Sequence, residues 1–314
     1  VSTVSLNPPR SDAAAQRSSR IGTRWFPFFM ILPSFVLILI VTGFPLLYSI
    51  YVSFTDYNLL RPGSDVFRAD IMFRNYERLI NDPIFRRSLG NTILFLFVTV
   101  NLEYLLALGL SQLLARVTKG QSIMRTLLMI PMMFAPILVG FQFRWFFNAE
   151  VGLVNNALLS LGVTQSKIAW LVDEPLGMIA IMTATIWMNL PVTTIILLAG
   201  TLSLPGEMYE AAEVDGAGAW QKFRHITFPM LAPFTYIALT IRSLDVARAF
   251  DIVRMMTDGG PAHRTELIWT YVTRLAIEDS RFGMGAAMSL ITVVISLFFT
   301  VYFFRQLVKA RIVQ

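Results

Sequence analysis

The placement of charge constrains this chain more than any other feature. Segments 25–55, 126–143, 175–206 and 282–304 contain no Asp, Glu, Lys or Arg, 226–241 is equally clean, and 88–115 holds only Glu103. A bilayer core is crossed by about 20 apolar residues in a helix. Helices buried in a large soluble protein are shorter and carry polar stripes. The composition agrees: 15% of residues are charged, against about 25% in a soluble domain. The chain is therefore predicted to be an all-α membrane protein with six transmembrane helices, at about 25–54, 90–115, 126–147, 176–200, 230–252 and 283–305. Residues 1–23, rich in Ser, Ala and Arg, read as a flexible tail ahead of a transmembrane domain spanning 24–314. The first apolar run is too long for the core of a signal peptide and is read as retained.

Several chemistries are excluded at this level. There are no cysteines and only two histidines, His225 and His263, so no disulfide and no cysteine- or histidine-based metal cluster is expected. No Gly-x-x-x-x-Gly-Lys-Ser/Thr loop occurs, so the chain is not expected to hydrolyse nucleotide or to be an enzyme at all. The net charge of +6 is ordinary for a membrane protein and implies no nucleic acid.

An even number of spans puts both termini on one side, but the Lys and Arg of alternate loops nearly balance, so charge counting leaves the side open. The cause is loop 55–89, where arginines are set among Asp56, Asp65, Asp70, Glu77 and Asp82. Phe73, Tyr76, Leu79 and Ile80 recur there at helical spacing and predict a folded amphipathic cap.

Loop 201–229 has a pattern of its own. Pro205 suits a helix start, and Glu207 and Glu210 fall early in that helix, where its dipole favours negative charge. Ala211 and Ala212 permit close approach by another surface, and Gly216 permits a sharp bend. Trp220, Phe223 and Ile226 then form an apolar stripe, and Pro229 is expected to start the next span. The product is a helix–turn–helix knob whose apolar side needs a partner.

The run Glu210-Ala211-Ala212, then Gly216, then Ile226 and Pro229 resembles the Glu-Ala-Ala signature of permeases from binding-protein-dependent ABC importers, with Phe228 in place of the usual Leu. Other stretches resemble the maltose-permease-like subfamily in its six-span form. They are Asn91-Thr92, Trp145 through Asn155, Trp187-Met188-Asn189-Leu190-Pro191, Thr257-Asp258-Gly259-Gly260-Pro261 and Phe282-Gly283-Met284-Gly285-Ala286. The resemblance covers about 25–305 and implies a permease subunit for a sugar or sugar derivative in the bacterial inner membrane. It implies that Glu210, Ala211, Ala212, Asp215 and Gly216 form a coupling helix docked on a cytoplasmic ATPase subunit, which places both termini in the cytoplasm. The implied partners are a second permease, two ATPase subunits that bind ATP and Mg, and an extracytoplasmic solute-binding protein. That protein would deliver solute at the outer loops near 55–89 and 257–281. No cofactor is expected in this chain.

Charges inside spans mark functional sites by default. The fifth predicted span carries Arg242, Asp245, Arg248, Asp251 and Arg254 at three-residue spacing, a ladder of alternating sign on a helix. Two readings stand. The ladder neutralises itself and holds helices together, or its inner members line a wet path. By the resemblance, the solute path falls at Thr185, Trp187, Met188, Asn189 and Val192 of the fourth span and at Arg242, Asp245, Arg248 and Ala249 of the fifth. The charges depart from the neutral residues of the maltose carrier, so the resemblance does not extend to the same sugar. Arginine forks onto anionic groups, which makes an anionic sugar one expectation. Asp245 neutralising both Arg242 and Arg248 makes a neutral sugar the other. Glu103 reads as a helix–helix hydrogen-bonding residue, with a proton carrier as the competing reading. An ion-coupled secondary transporter is the alternative function; it would explain intramembrane charge but not the knob.

Overall fold

The computed structural model describes residues 26–312, so the predicted tail lies outside the described residues. No strand occurs among them, and the chain is an all-α membrane protein. Three helices are long and apolar enough to cross a membrane: α1 (Phe26–Ser53), α3 (Pro83–Ala115) and α7 (Leu176–Leu202). Two bent helix pairs raise the number to five if each counts as one span. Helix α13 (Phe282–Ile312) carries a shorter apolar run, Phe282–Phe298.

Helix α3 organises the bundle. It begins where Asp82 accepts a hydrogen bond from the Ile84 N–H at 2.8 Å, with Pro83 in the first turn, a combination that satisfies one orphan donor and removes another. Its 33 residues extend about 50 Å. Along that length it packs against α7, with Phe95, Val139, Phe143, Ile181, Ala184, Val246 and Val253 as the main core.

The N-terminal end of α3 meets a cap. Helix α2 (Arg74–Asn81) sits there. Asn75 donates to the Ser53 and Thr55 carbonyls at 2.9 and 2.7 Å, and Tyr76 donates to the Ser53 hydroxyl at 2.8 Å. Leu79 is buried against Tyr271, Leu275 and Met284. The buried face is thus Asn75, Tyr76 and Leu79, whereas Phe73 and Ile80 stay exposed, so the cap's apolar stripe is narrower than its spacing suggested. Helix α13 starts against this cap. A Cβ on Gly283 would lie 2.2 Å from the Thr55 carbonyl oxygen and 3.0 Å from the Asn75 amide, and neither can retreat because they bond each other. Gly283→Ala is expected to destabilise the fold by about 1–3 kcal/mol. A thermal unfolding midpoint equal to that of the unaltered protein would contradict this.

Two predicted spans are not single helices. The 126–147 span is α4 (Gln121–Met133) and α5 (Pro136–Phe146), bent by 90°. The cause is Pro136, which drives Ala135 into extended backbone, φ −65° and ψ 139°. The 230–252 span is α9 (Ala219–Met230), a 63° bend, α10 (Ala232–Ala247), a break, and then α11 (Asp251–Met256). Pro229 accordingly ends one helix rather than starting the span. The expected five-charge ladder is cut after Arg248. Arg254 instead pairs with Asp258 and with Glu278, the latter at 2.7 Å.

Candidate functional site

The break after α10 forms one wall of a cavity of about 220 Å³. Arg248 (φ −105°, ψ 14°) and Phe250 (φ −139°, ψ −60°) leave helical geometry, and a separate short helix, α11, follows. Non-helical backbone at membrane depth is tolerated where it is buried in protein or faces water. Pro136 of α5 and Thr185, Met188 and Asn189 of α7 supply the opposite wall; Arg242, Asp245, Val246, Arg248, Ala249, Phe250, Asp251 and Ile252 supply the rest. Sequence-predicted path residues from two segments thus meet at one cavity. Trp187 and Val192 are not among its lining residues; the Trp187 ring lies 5.4 Å from that of Phe143.

The lining is rich in acceptors. The Thr185 hydroxyl donates to the Ile181 carbonyl at 2.9 Å and the Asn189 amide to the Thr185 carbonyl at 2.9 Å. Those bonds spend donors on the helix backbone, leaving the Asn189 carbonyl oxygen as an acceptor. Asp245 takes Arg242 at 3.2 Å and Arg248 at 3.5 Å, and is itself 49% exposed. Asp251 makes no ion pair among the described residues. Arg248 is 65% exposed and is the accessible cation.

Arg242 is held differently. Its Nε donates to Glu103 Oε1 at 2.8 Å and its Nη2 to Oε2 at 3.0 Å, a two-pronged pair in which Arg242 is 3% and Glu103 0% exposed. Thr193 adds a third donor to Glu103 at 2.6 Å. Helices α3, α7 and α10 are therefore joined through one buried carboxylate. Sequence reasoning read Glu103 as a helix–helix hydrogen-bonding residue and offered Asp245 as a neutraliser of Arg242, and both contacts are present, but it did not join Glu103 to Arg242. The signal was present: Glu103 stands alone in one apolar span and Arg242 enters another, and opposite charges isolated in membrane helices pair.

At the far end of α3, Gln112 donates to Thr201 at 2.9 Å and a knob projects. Helix α8 (Gly206–Val214) ends at Gly216, whose φ is +75°. The Ala217 N–H bonds the Ala212 carbonyl at 2.8 Å and the Gly216 N–H the Glu213 carbonyl at 3.0 Å, a left-handed helix terminus that suits glycine. Tyr209 hydrogen-bonds Thr227 at 2.8 Å and Lys222 pairs with Glu213 at 2.7 Å, bracing α8 against α9. The hydrogen bond and charge of Lys222 hold the Glu213 carboxyl below its ordinary range. Glu210, Ala211, Asp215 and Gly216 are exposed and Ala212 is half-buried. Met208, Val214 and Trp220 are also exposed, an apolar surface left uncovered by this chain. A cavity of about 600 Å³ lies between this knob and the end of α3, and another of about 600 Å³ lies under the cap. Neither contains a predicted path residue.

A cavity with charged residues in its wall between broken membrane helices, with a surface knob at one end of the bundle, is the build of a membrane transport subunit. The chain belongs to the family of binding-protein-dependent transport system inner membrane components, which it matches over residues 104–314. It is 32% identical to the trehalose/maltose transport system permease protein MalF of Thermococcus litoralis, over 92% of this chain and 94% of that one. It is also 32% identical to the sulfoquinovosyl glycerol transport system permease protein SmoG of Agrobacterium fabrum, over 91% of each. Its fold matches a chain of a bacterial ABC transporter involved in the import of the acidic polysaccharide alginate, with a TM-score of 0.79 and 21% identity, over 94% of this chain and 99% of that one.

Proposed function

We propose that this chain forms, with a second permease, the membrane path of an ATP-driven importer for a sugar or sugar derivative. The observation that carries the reading is the cavity itself. Path residues predicted on two segments, Thr185, Met188 and Asn189 on α7 and Arg242, Asp245, Arg248 and Ala249 at the end of α10, border one space at a helix break. Its acceptors suit the hydroxyl donors of a sugar, and the relatives named for trehalose/maltose and sulfoquinovosyl glycerol support the solute class.

The exposed knob, with Glu210, Ala211, Ala212, Asp215 and Gly216, is the docking surface for a cytoplasmic ATPase subunit, one of two. ATP and Mg bind in those subunits. With the knob inside the cell, the outer cap faces the solute-binding protein and both termini are cytoplasmic. ATP binding then swings the two permeases as rigid bodies to open the path outward, and hydrolysis resets them. An ion-coupled carrier would leave the knob without a role.

The test is co-expression with the genomically neighbouring subunits, purification, and measurement of ATPase activity with loaded binding protein in proteoliposomes. Stimulation by one loaded binding protein, with uptake of its solute, is the expected result. A purified chain that carries no ATPase, with every partner verified as expressed, would overturn the reading.

A further inference from the structure

The bonding of Glu103 makes it the ion-pair partner of Arg242. Arg242 stays protonated in proteins, and its two N–H groups occupy both carboxylate oxygens while the Thr193 hydroxyl donates a third bond. Both oxygens thus face the N–H fork of a guanidinium, the geometry of a two-pronged Arg–carboxylate ion pair. The charged residues lining the cavity are Arg242, Asp245, Arg248 and Asp251, two of each sign. Glu103 stands behind Arg242, out of solvent, and its charge cancels that of the guanidinium. What the cavity presents is therefore Asp245, Arg248 and Asp251, an excess of one negative charge.

We propose that Glu103 is a specificity-determining residue that sets the sign of the solute cavity, so that the path favours uncharged, hydroxyl-rich solutes and disfavours anionic ones. Glu103 acts through Arg242 and touches no solute, which makes it a positioning residue. The inference rests on the cavity being the solute path, and it narrows the solute class of that reading. Arg248, the accessible cation, is already shared with Asp245 and does not restore a net anion site.

The chain has no native cysteine, which makes the local potential measurable in the assembled transporter. Ala249→Cys places one thiol on the cavity wall. Its reaction rates with a cationic (trimethylammonium) and an anionic (sulfonate) methanethiosulfonate are compared, each divided by the rate with a free small thiol and read on this chain's peptide by mass spectrometry. With Glu103 in place the cationic reagent is expected to react faster. Glu103→Gln keeps the shape and one acceptor oxygen for Arg242 and Thr193, loses the second prong, and uncovers the charge of Arg242. It is expected to shift the ratio towards the anionic reagent by about five-fold or more, the effect of a unit charge in a wet, partly screened cavity. Glu103→Gln with Arg242→Gln removes both charges and is expected to return the ratio to its starting value. An unchanged ratio in Glu103→Gln overturns the proposal, as does a shift that the double variant fails to reverse; a purely structural Glu103 would lower the melting temperature and leave the ratio alone. The underlying path reading is scored separately. Solute-loaded binding protein with a non-hydrolysable ATP analogue should slow labelling of the Ala249→Cys thiol, and no slowing would remove the cavity from the path whatever the ratio does.

Discussion

Arg242→Ala is expected to lose about 3–5 kcal/mol of stability, because it strands Glu103 as an uncompensated charge in the bundle. The side chain is 3% exposed and its partner is fully buried, so water cannot replace the lost bonds. The visible result should be a sharp fall in folded, detergent-stable protein. Replacing both partners with Arg242→Met and Glu103→Leu should recover most of the yield, since a buried ion pair is often exchanged for apolar packing at little cost. Arg248→Ala, at an exposed side chain, should leave the yield unchanged. Measuring melting temperatures of the three side by side decides the matter; a single Arg242→Ala that melts with the unaltered protein would mean that the pair is not buried in the assembled state. The prediction also alters how uptake data are read. From sequence, loss of uptake in Arg242→Ala would report solute charge. In the structure, the same loss reports a folding defect first.

Glu210→Ala is expected to act in the opposite manner, with no effect on the fold and a large one on transport. Glu210 is exposed on α8 and makes no side-chain hydrogen bond or ion pair among the described residues. Removing it should leave the melting temperature within experimental error. If it is buried against the ATPase as a hydrogen-bonded charge, its loss costs about 2–5 kcal/mol of docking, which is more than ten-fold in affinity. Co-purification of the ATPase and solute-stimulated hydrolysis should both fall. Retention of both at unaltered levels would remove Glu210 from the interface.

The membrane class was legible because charge in hydrocarbon is expensive, and its exclusion from long stretches leaves a pattern that survives any detail of packing. The knob was legible for a local reason: a left-handed turn at Gly216 and paired small residues are properties of consecutive residues. The cap was half-legible. Its helical spacing was correct, but which face is buried depended on Asn75 reaching the Ser53 and Thr55 carbonyls across the chain. Phe73, as apolar as Leu79, was left outside.

The broken spans were harder. Pro136 announced a bend without its size, and nothing between Ala247 and Asp251 announces a break, since no proline or glycine stands there. Periodicity extended the charge ladder straight through it. Helix propensity is a weak prior that packing overrides, and beyond the break α11 packs its Ile252 backbone closely against Gly140 of α5, where a Cβ would meet Met255 at 2.8 Å.

By itself, then, the sequence determined the quantities that depend on neighbours along the chain: which segments avoid water, where a helix can turn, and which surface is left needing a partner. Only the tertiary structure decided which charges meet. Glu103 and Arg242 are separated by 139 positions, and their pairing follows from the register of α3 against α10 rather than from any spacing. Electrostatic energy depends on distance and burial in space, so the sign of the cavity became readable only once the helices were packed.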